Sequence, residues 1–169
     1  MAMHDEKPIL RMTVALYDQL RLHGEQTYPD ECCGILLGSN EGGGNAVLHT
    51  IPAPNASTSS TRHHYQIAPA DLIAAQKQSR AQNLEIIGFY HSHPDHPAEW
   101  SLTDLAEAHW LGASYVITSI QRGKAQDTRS FRLAGEQEES KQLVKETLVV
   151  MEEEPVLPVK SEPKRTLLL

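Results

Sequence analysis

Cysteine is scarce in this chain: two in 169 residues, Cys32 and Cys33, side by side. Neighbouring cysteines bridge only with strained geometry, so no disulfide framework is expected. A reducing, cytoplasmic compartment fits that usage. Aromatic residues make up 5% of the chain, so the core must be mostly aliphatic. No apolar run approaches the ~18 residues of a membrane-spanning helix. The opening MAMHDEKPIL carries charge where a secretory signal would carry an apolar stretch. Neither a leader nor a membrane partner is expected. Positive charge is short as well: 15 Lys and Arg against 22 Asp and Glu, for a net −7. With no basic stripe to neutralise phosphates, nucleic acid is not an expected partner.

What is present suits a single domain with a real core. We expect it to span residues 1–151, followed by a proline-bearing, mixed-charge tail over 152–169. Ile9 to Met12 reads as a short strand. Thr13 can cap a helix over Val14 to Leu22, with Gly24 as its stop. Cys32 to Leu37 and Ala46 to Ile51 read as buried strands joined by a turn over Ser39 to Asn45. The segment Pro52 to Arg62 is rich in Pro, Ser, Thr and Asn and reads as an exposed loop. His63 to Ile67 reads as a strand. Pro69 suits the first turn of a helix running to about Asn83, with Leu72, Ile73, Ala75 and Gln76 inward. Leu84 to His93 is the expected central strand, followed by a helix over Ser101 to Leu111 and a buried strand over Ser114 to Ile120. A turn over Gln121 to Asp127, a strand over Thr128 to Leu133 and an undecided strand or helix over Leu143 to Met151 complete the order. That order predicts an α/β (α+β) three-layer α-β-α sandwich rather than a doubly wound sheet.

Chemistry concentrates in one stretch, GFYHSHPDHPAEWSLTD, from Gly88 to Asp104, which holds three of the nine histidines. His91 and His93 are two apart, so a strand puts both on one face. Two imidazoles at a strand end can supply two ligands of a catalytic zinc, which keeps three protein ligands and one open position. Asp104 is a candidate for the third, because a helix capped by Ser101 would place it in the first turn. Ser-Leu-Thr-Asp is equally a capping sequence with an acid favouring the helix dipole. His91-Ser92-His93-Pro94-Asp95-His96 also fits the H-x-H-x-D-H pattern of the metallo-β-lactamase fold. That two-metal site needs histidines well downstream, and none follows His109. Cys32 as a thiol nucleophile is the weaker alternative, since it sits in an apolar run where thiols are inert.

The spacing His91-x-His93, seven residues, Ser101-x-x-Asp104, with a glutamate far upstream, resembles the signature of the JAMM (MPN+) zinc metallopeptidases. Glu31, in Pro29-Asp30-Glu31-Cys32-Cys33-Gly34-Ile35-Leu36-Leu37-Gly38, matches the segment carrying that family's glutamate. The resemblance covers roughly Ile9 to Ile120 and is closest to the bacterial single-domain branch that includes CysO-cysteine peptidases. It implies a cytidine-deaminase-like three-layer sandwich with a mixed sheet between helices. It implies one Zn2+ per chain on His91, His93 and Asp104, Glu31 as general base, and Ser101 steadying the tetrahedral intermediate. It implies hydrolysis of amide or isopeptide bonds at the C-terminus of ubiquitin-like or sulfur-carrier proteins. An extended Gly-Gly tail could add to an exposed sheet edge, with Ser57 to Ile67 as one wall of its groove. His63, Tyr65, Asp95 and His96 are candidate substrate contacts, and Glu99 and Trp100 candidate rim residues. A non-catalytic scaffold of the same fold is the second class of reading. A DNA-repair relative is a third, disfavoured by the acidic charge.

Overall fold

The computed structural model describes residues 7–41 and 44–155. The expected tail beyond residue 155 lies outside them. Seven strands and three α-helices follow in order: β1 (Ile9–Thr13), α1 (Val14–Thr27), β2 (Cys33–Glu41), β3 (Gly44–Ala53), α2 (Pro69–Ala81), β4 (Glu85–Pro94), α3 (Leu102–Glu107), β5 (Ser114–Gln121), β6 (Lys124–Ala134) and β7 (Gln142–Met151). A 3₁₀ turn over Glu138–Ser140 precedes β7.

The strands form one mixed sheet in the order β1-β3-β2-β4-β5-β6-β7. It closes on itself, because β7 pairs with β1 in parallel from Ile9↔Thr147 to Thr13↔Met151. An α+β chain with a mixed sheet was expected. The exposed sheet edge expected to receive a substrate tail is not found among the described residues, because closure pairs every strand on both sides. Strand β4 has β2 on one side and β5 on the other, so no substrate strand can add to it. Helices still cover both faces. Leu16, Tyr17 and Leu20 of α1 pack on Leu10, Met12, Leu36, Val47, Tyr90 and Val116. Leu72 and Ala75 of α2, with Leu105 and Trp110, pack on Ile35, Leu37, Phe89, Tyr115 and Phe131.

Local chemistry explains most boundaries. Thr13 caps α1, its Oγ1 accepting the Leu16 N–H at 3.3 Å. Gly24 does not stop the helix; it lets α1 lie close on the sheet, since a Cβ there would come within 2.8 Å of Ile120 and 3.3 Å of Ser92. The β2–β3 hairpin is tighter than the expected turn, with Ser39, Asn40 and Glu41 already paired to Ala46, Asn45 and Gly44. The β5–β6 turn contracts to Arg122 and Gly123, both at positive φ, as a two-residue hairpin requires. In α2 the inward residues are Leu72, Ala75 and Ser79, while Ile73 faces out at 52% exposure. Helix α3 ends at Glu107, short of the expected Leu111. Lys141 Nζ takes the Ala106 and Ala108 carbonyls at 3.1 and 2.9 Å, and Trp110 turns in against Phe89. Leu143 to Met151 resolves to a strand, β7.

Residues 63–67 form no strand. Their backbone is satisfied by Asn55 instead: its Nδ2 donates to the His64 carbonyl at 2.9 Å and its Oδ1 accepts the Gln66 N–H at 3.1 Å. A side chain that supplies these bonds removes the need for a partner strand. Among the described residues no helix is long and apolar enough to cross a membrane.

Candidate active site

Strand β4 delivers the two histidines by way of a bulge. Leu36 pairs with Gly88 and Leu37 with Ile86, leaving Ile87 as an extra residue. Upstream of it Ile86 faces the α2 side and Ile87 the α1 side; downstream Phe89 faces α2 and Tyr90 faces α1. The alternation has changed phase, and His91 and His93 follow Phe89 onto the α2–α3 face. Opposite Tyr90 stands Gly34, where a Cβ would lie 2.1 Å from the Tyr90 ring. Glycine there admits the tyrosine that underlies this strand end.

His91 is 2% exposed and stacks on Tyr65, ring centroids 4.4 Å apart at 23°. Its Nε2 lies 3.0 Å from His93 Nε2. Asp104 places Oδ1 3.2 Å from His91 Nε2 and Oδ2 3.2 Å from His93 Nε2. Helix α3 supplies this carboxylate through its cap. Ser101 Oγ accepts the Asp104 N–H at 3.0 Å, and Asp104 Oδ2 accepts the Ser101 N–H at 2.8 Å. The capping reading of Ser-Leu-Thr-Asp is met, and the same carboxylate faces both histidines. His93 Nδ1 donates to the Pro97 carbonyl at 2.8 Å, so in the neutral ring Nε2 is the nitrogen with a lone pair for a cation, and in the charged ring it donates to Asp104. His91 Nδ1 has no partner among the described residues.

Glu31, 4% exposed, stands just before β2. Its carboxylate and the ring nitrogens of His91 and His93 place ligand atoms within 4.8 Å of one another. Its N–H donates to the Thr61 carbonyl at 2.8 Å, tying it to the 54–67 loop. Burial pushes its carboxyl up to about 8; His93 pulls it back, and Asp104 and Glu107 add to the rise. Burial also works on Asp104, but it is outweighed by His91 and by hydrogen bonds from His91, His93 and the Ser101 N–H, so Asp104 is held well below the usual range. Burial lowers His91. For His93 burial is overcome by its bonds to Asp104 and Pro97, and the net direction is up. A buried carboxylate facing two imidazole nitrogens is a donor set that could hold a cation.

The spacing tests which cation. A tetrahedral zinc with bonds of ~2.0–2.1 Å separates its ligand atoms by about 3.3 Å. The contacts among His91, His93 and Asp104 are 3.0, 3.2 and 3.2 Å, and two imidazoles with one carboxylate suit zinc chemically. These three residues fit such an ion, with Glu31 beside it.

Around this centre lies a cleft of about 390 Å³ lined by Glu31, Arg62, His63, His93, His96, Glu99, Trp100, Ser101 and Asp104 among others. His63 and His96 meet across it, centroids 6.0 Å apart. Tyr65 lies behind His91. Asp95 is not among the lining residues; it accepts from the Tyr28 hydroxyl at 2.7 Å and the Arg122 N–H at 2.8 Å. Glu99 pairs with Arg129. Cys32 and Cys33 are free, buried and pushed up to about 12 by burial, a poor setting for a nucleophile. His109 lies exposed near Glu138. Sequence reasoning passed over two residues. Arg62 is the one basic residue between Pro52 and Ala68, a signal that was available. Asn55 braces the loop by long-range bonds that no local pattern announces.

The chain matches the family model described as prokaryotic homologs of the JAB domain over residues 13–134. It is 33% identical over 109 residues to a probable TtuB-protein conjugate cleaving protease of Thermus thermophilus, covering 64% of this chain and 69% of that one. It is 29% identical to the CysO-cysteine peptidase of Mycobacterium tuberculosis over 74% of this chain and 83% of that one. A 31% match to the desampylase of Haloferax volcanii covers 54% of this chain and spans 63% of the relative's length. Among solved structures, a Salinibacter ruber protein superposes with TM-score 0.64 at 35% identity, over 88% of this chain and 95% of that one. One from Desulfitobacterium hafniense gives 0.72 at 27% identity, over 86% and 94%. With the family model spanning most of the chain, from the cap of α1 to the end of β6, this protein belongs to the prokaryotic JAB-domain family.

Proposed function

We propose that this protein is a zinc-dependent peptidase that hydrolyses the amide or isopeptide bond at the C-terminus of a ubiquitin-like or sulfur-carrier protein. The observation that carries this reading is the convergence of two imidazole nitrogens and the Asp104 carboxylate within 3.2 Å, with the Glu31 carboxyl alongside. His91, His93 and Asp104 would hold the ion. When bound, zinc supplies Lewis-acid activation of water and of the scissile carbonyl. Glu31 is the general base: it accepts a proton at its carboxylate and returns it to the leaving amine. Its carboxyl, pushed up to about 8 without an ion, would fall with a cation bound alongside, into the range where a base can work at neutral pH. Ser101 is the hydrogen-bond donor for the developing oxyanion, held at the cleft by the helix cap. The loop 57–67 forms one wall of the tail groove, since His63 lines the cleft. The substrate class rests on what the similar proteins are named for cleaving.

The test combines metal content with turnover. Purified protein should carry one zinc per chain. It should also cleave a C-terminal conjugate of a ubiquitin-like carrier, a reaction lost in Glu31→Gln with zinc retained. A protein without stoichiometric zinc and without cleavage is the non-catalytic scaffold instead.

A further inference from the structure

Arg62 is a cation at the catalytic cleft without a local partner. It is the one Lys or Arg among the residues lining that cleft. Among the described residues no carboxylate lies within 4.0 Å of it and no hydrogen bond holds it. The acid that acts on it at longer range, Asp95, has one oxygen on the Tyr28 hydroxyl and the other on the Arg122 N–H. Glu99, on the cleft's other side, is taken by Arg129.

Its position is set by the base. The carbonyl of Thr61, the residue before it, accepts the Glu31 N–H at 2.8 Å, and Thr61 Oγ1 donates to Asp30 at 2.8 Å. The backbone that carries Arg62 is thus stapled to the segment that carries Glu31. On the proposed mechanism, on which this inference rests, Glu31 returns its proton to the leaving amine, so the amine side of the scissile bond faces that wall. An α-amino acid leaving group carries its carboxylate two bonds from that nitrogen. A lysine ε-amine carries only methylenes there.

We propose that Arg62 is a specificity-determining residue that binds the α-carboxylate of the leaving group, so that the enzyme releases single amino acids from a carrier's C-terminus in preference to lysine side chains. A guanidinium offers a forked pair of donors matched to a carboxylate. A charge-assisted bond of this kind is worth roughly a ten- to hundredfold preference.

The experiment uses a carrier protein bearing one of three C-terminal groups: an amino acid, the same amino acid as its amide, or the ε-amine of an Nα-acetyl-lysine amide. Wild type should cleave the first with kcat/KM about ten- to a hundredfold above the other two. Arg62→Ala should lose that advantage, its kcat/KM for the amino-acid conjugate falling to that for the amide and the lysine conjugate, and Arg62→Lys should restore part of it. Equal effects on all three conjugates, or none, overturn the proposal. A second measurement does not need turnover. Acetyl-Gly-Gly-Ala and its C-terminal amide are titrated onto Glu31→Gln protein by isothermal calorimetry. The acid should bind at least tenfold tighter than the amide, and only when Arg62 is present. Loss of cleavage with this binding preference intact would sink the peptidase reading and leave Arg62 standing as a carboxylate receptor; equal binding of acid and amide would overturn the receptor itself.

Discussion

Glu31 is buried and Asp104 half-buried, both carboxyls a few ångströms from the same histidines, and their surroundings drive them apart. Asp104 collects hydrogen bonds and stays ionised; Glu31 is mainly desolvated and rises to about 8. The linkage has a definite sign. A carboxyl raised from its ordinary 4.5 binds more protons folded than unfolded between pH 4.5 and 8, so zinc-free protein loses stability as pH rises through that window. His93, raised by its partners, adds to the same trend, while His91, lowered by burial, opposes it. Glu31→Gln should flatten most of the slope, leaving the zinc-free variant more stable than wild type at pH 8 by on the order of 3 kcal/mol. Chemical denaturation across pH 5 to 8 measures this, and parallel curves for the two proteins would contradict it. Zinc should abolish the difference, since a cation removes the penalty on the carboxylate. Asp104 separates capping from ligation. Asp104→Asn keeps an acceptor for the Ser101 N–H, so the cap and the fold should survive, although the metal-free form loses the stability that the carboxylate draws from His91 and His93 at neutral pH. Zinc affinity should nevertheless drop at least tenfold, read by competition with a chromogenic chelator.

At the level of elements, the histidine pair, the serine cap and Asp104 were legible because they lie within fourteen residues and one strand-to-helix switch. Two features were not. The bulge at Ile87 shows only as Leu37 pairing with Ile86 while Leu36 pairs with Gly88, a relation between strands some fifty residues apart. A plain two-residue alternation would misplace either Ile86 or Phe89. The other is the 54–67 loop, whose alternation over His63 to Ile67 mimics a strand. Asn55 organises it with four bonds: to the carbonyls of Glu31 and His64, and from the N–H groups of Ser57 and Gln66. Such bonds net about 1 kcal/mol each and do not add fully at a half-buried site. We expect Asn55→Ala to cost about 1–2 kcal/mol in a thermal melt, yet to lower cleavage at least tenfold, because the Arg62–His63 wall and the Tyr65 stack depend on it. Faster amide exchange over Thr61 to Gln66 should accompany the loss. A rate reduced only by the unfolded fraction would show that the loop does not position the site.

For the whole molecule, the closing contact is the one that sequence order hides most completely. Strand β1 pairs with β7 across more than 130 residues, and β7 itself could have been read as a helix. Periodicity reports faces, not partners, so closure leaves no local trace. A buried ion pair marks the seam. Glu146 of β7, its side chain 0% exposed, pairs with Arg132 of β6. Arg132 Nε donates to it at 2.6 Å and Ser130 Oγ at 2.7 Å, while Arg132 Nη2 reaches the Ile9 carbonyl of β1 at 3.2 Å. One guanidinium therefore ties three strands together where the sheet shuts. Removing one member strands the other charge in the interior, a loss of about 3–5 kcal/mol, whereas replacing both by apolar residues is often close to neutral. Arg132→Met should accordingly lower the urea midpoint severely, and Arg132→Met with Glu146→Leu should recover most of the loss. The single variant should also lose zinc affinity only in step with unfolding, because the seam lies away from the His91–His93 strand end. If the double variant proves as unstable as the single one, the pair is itself a net source of stability, and closure depends on the charges rather than on the apolar packing of β1 against β7.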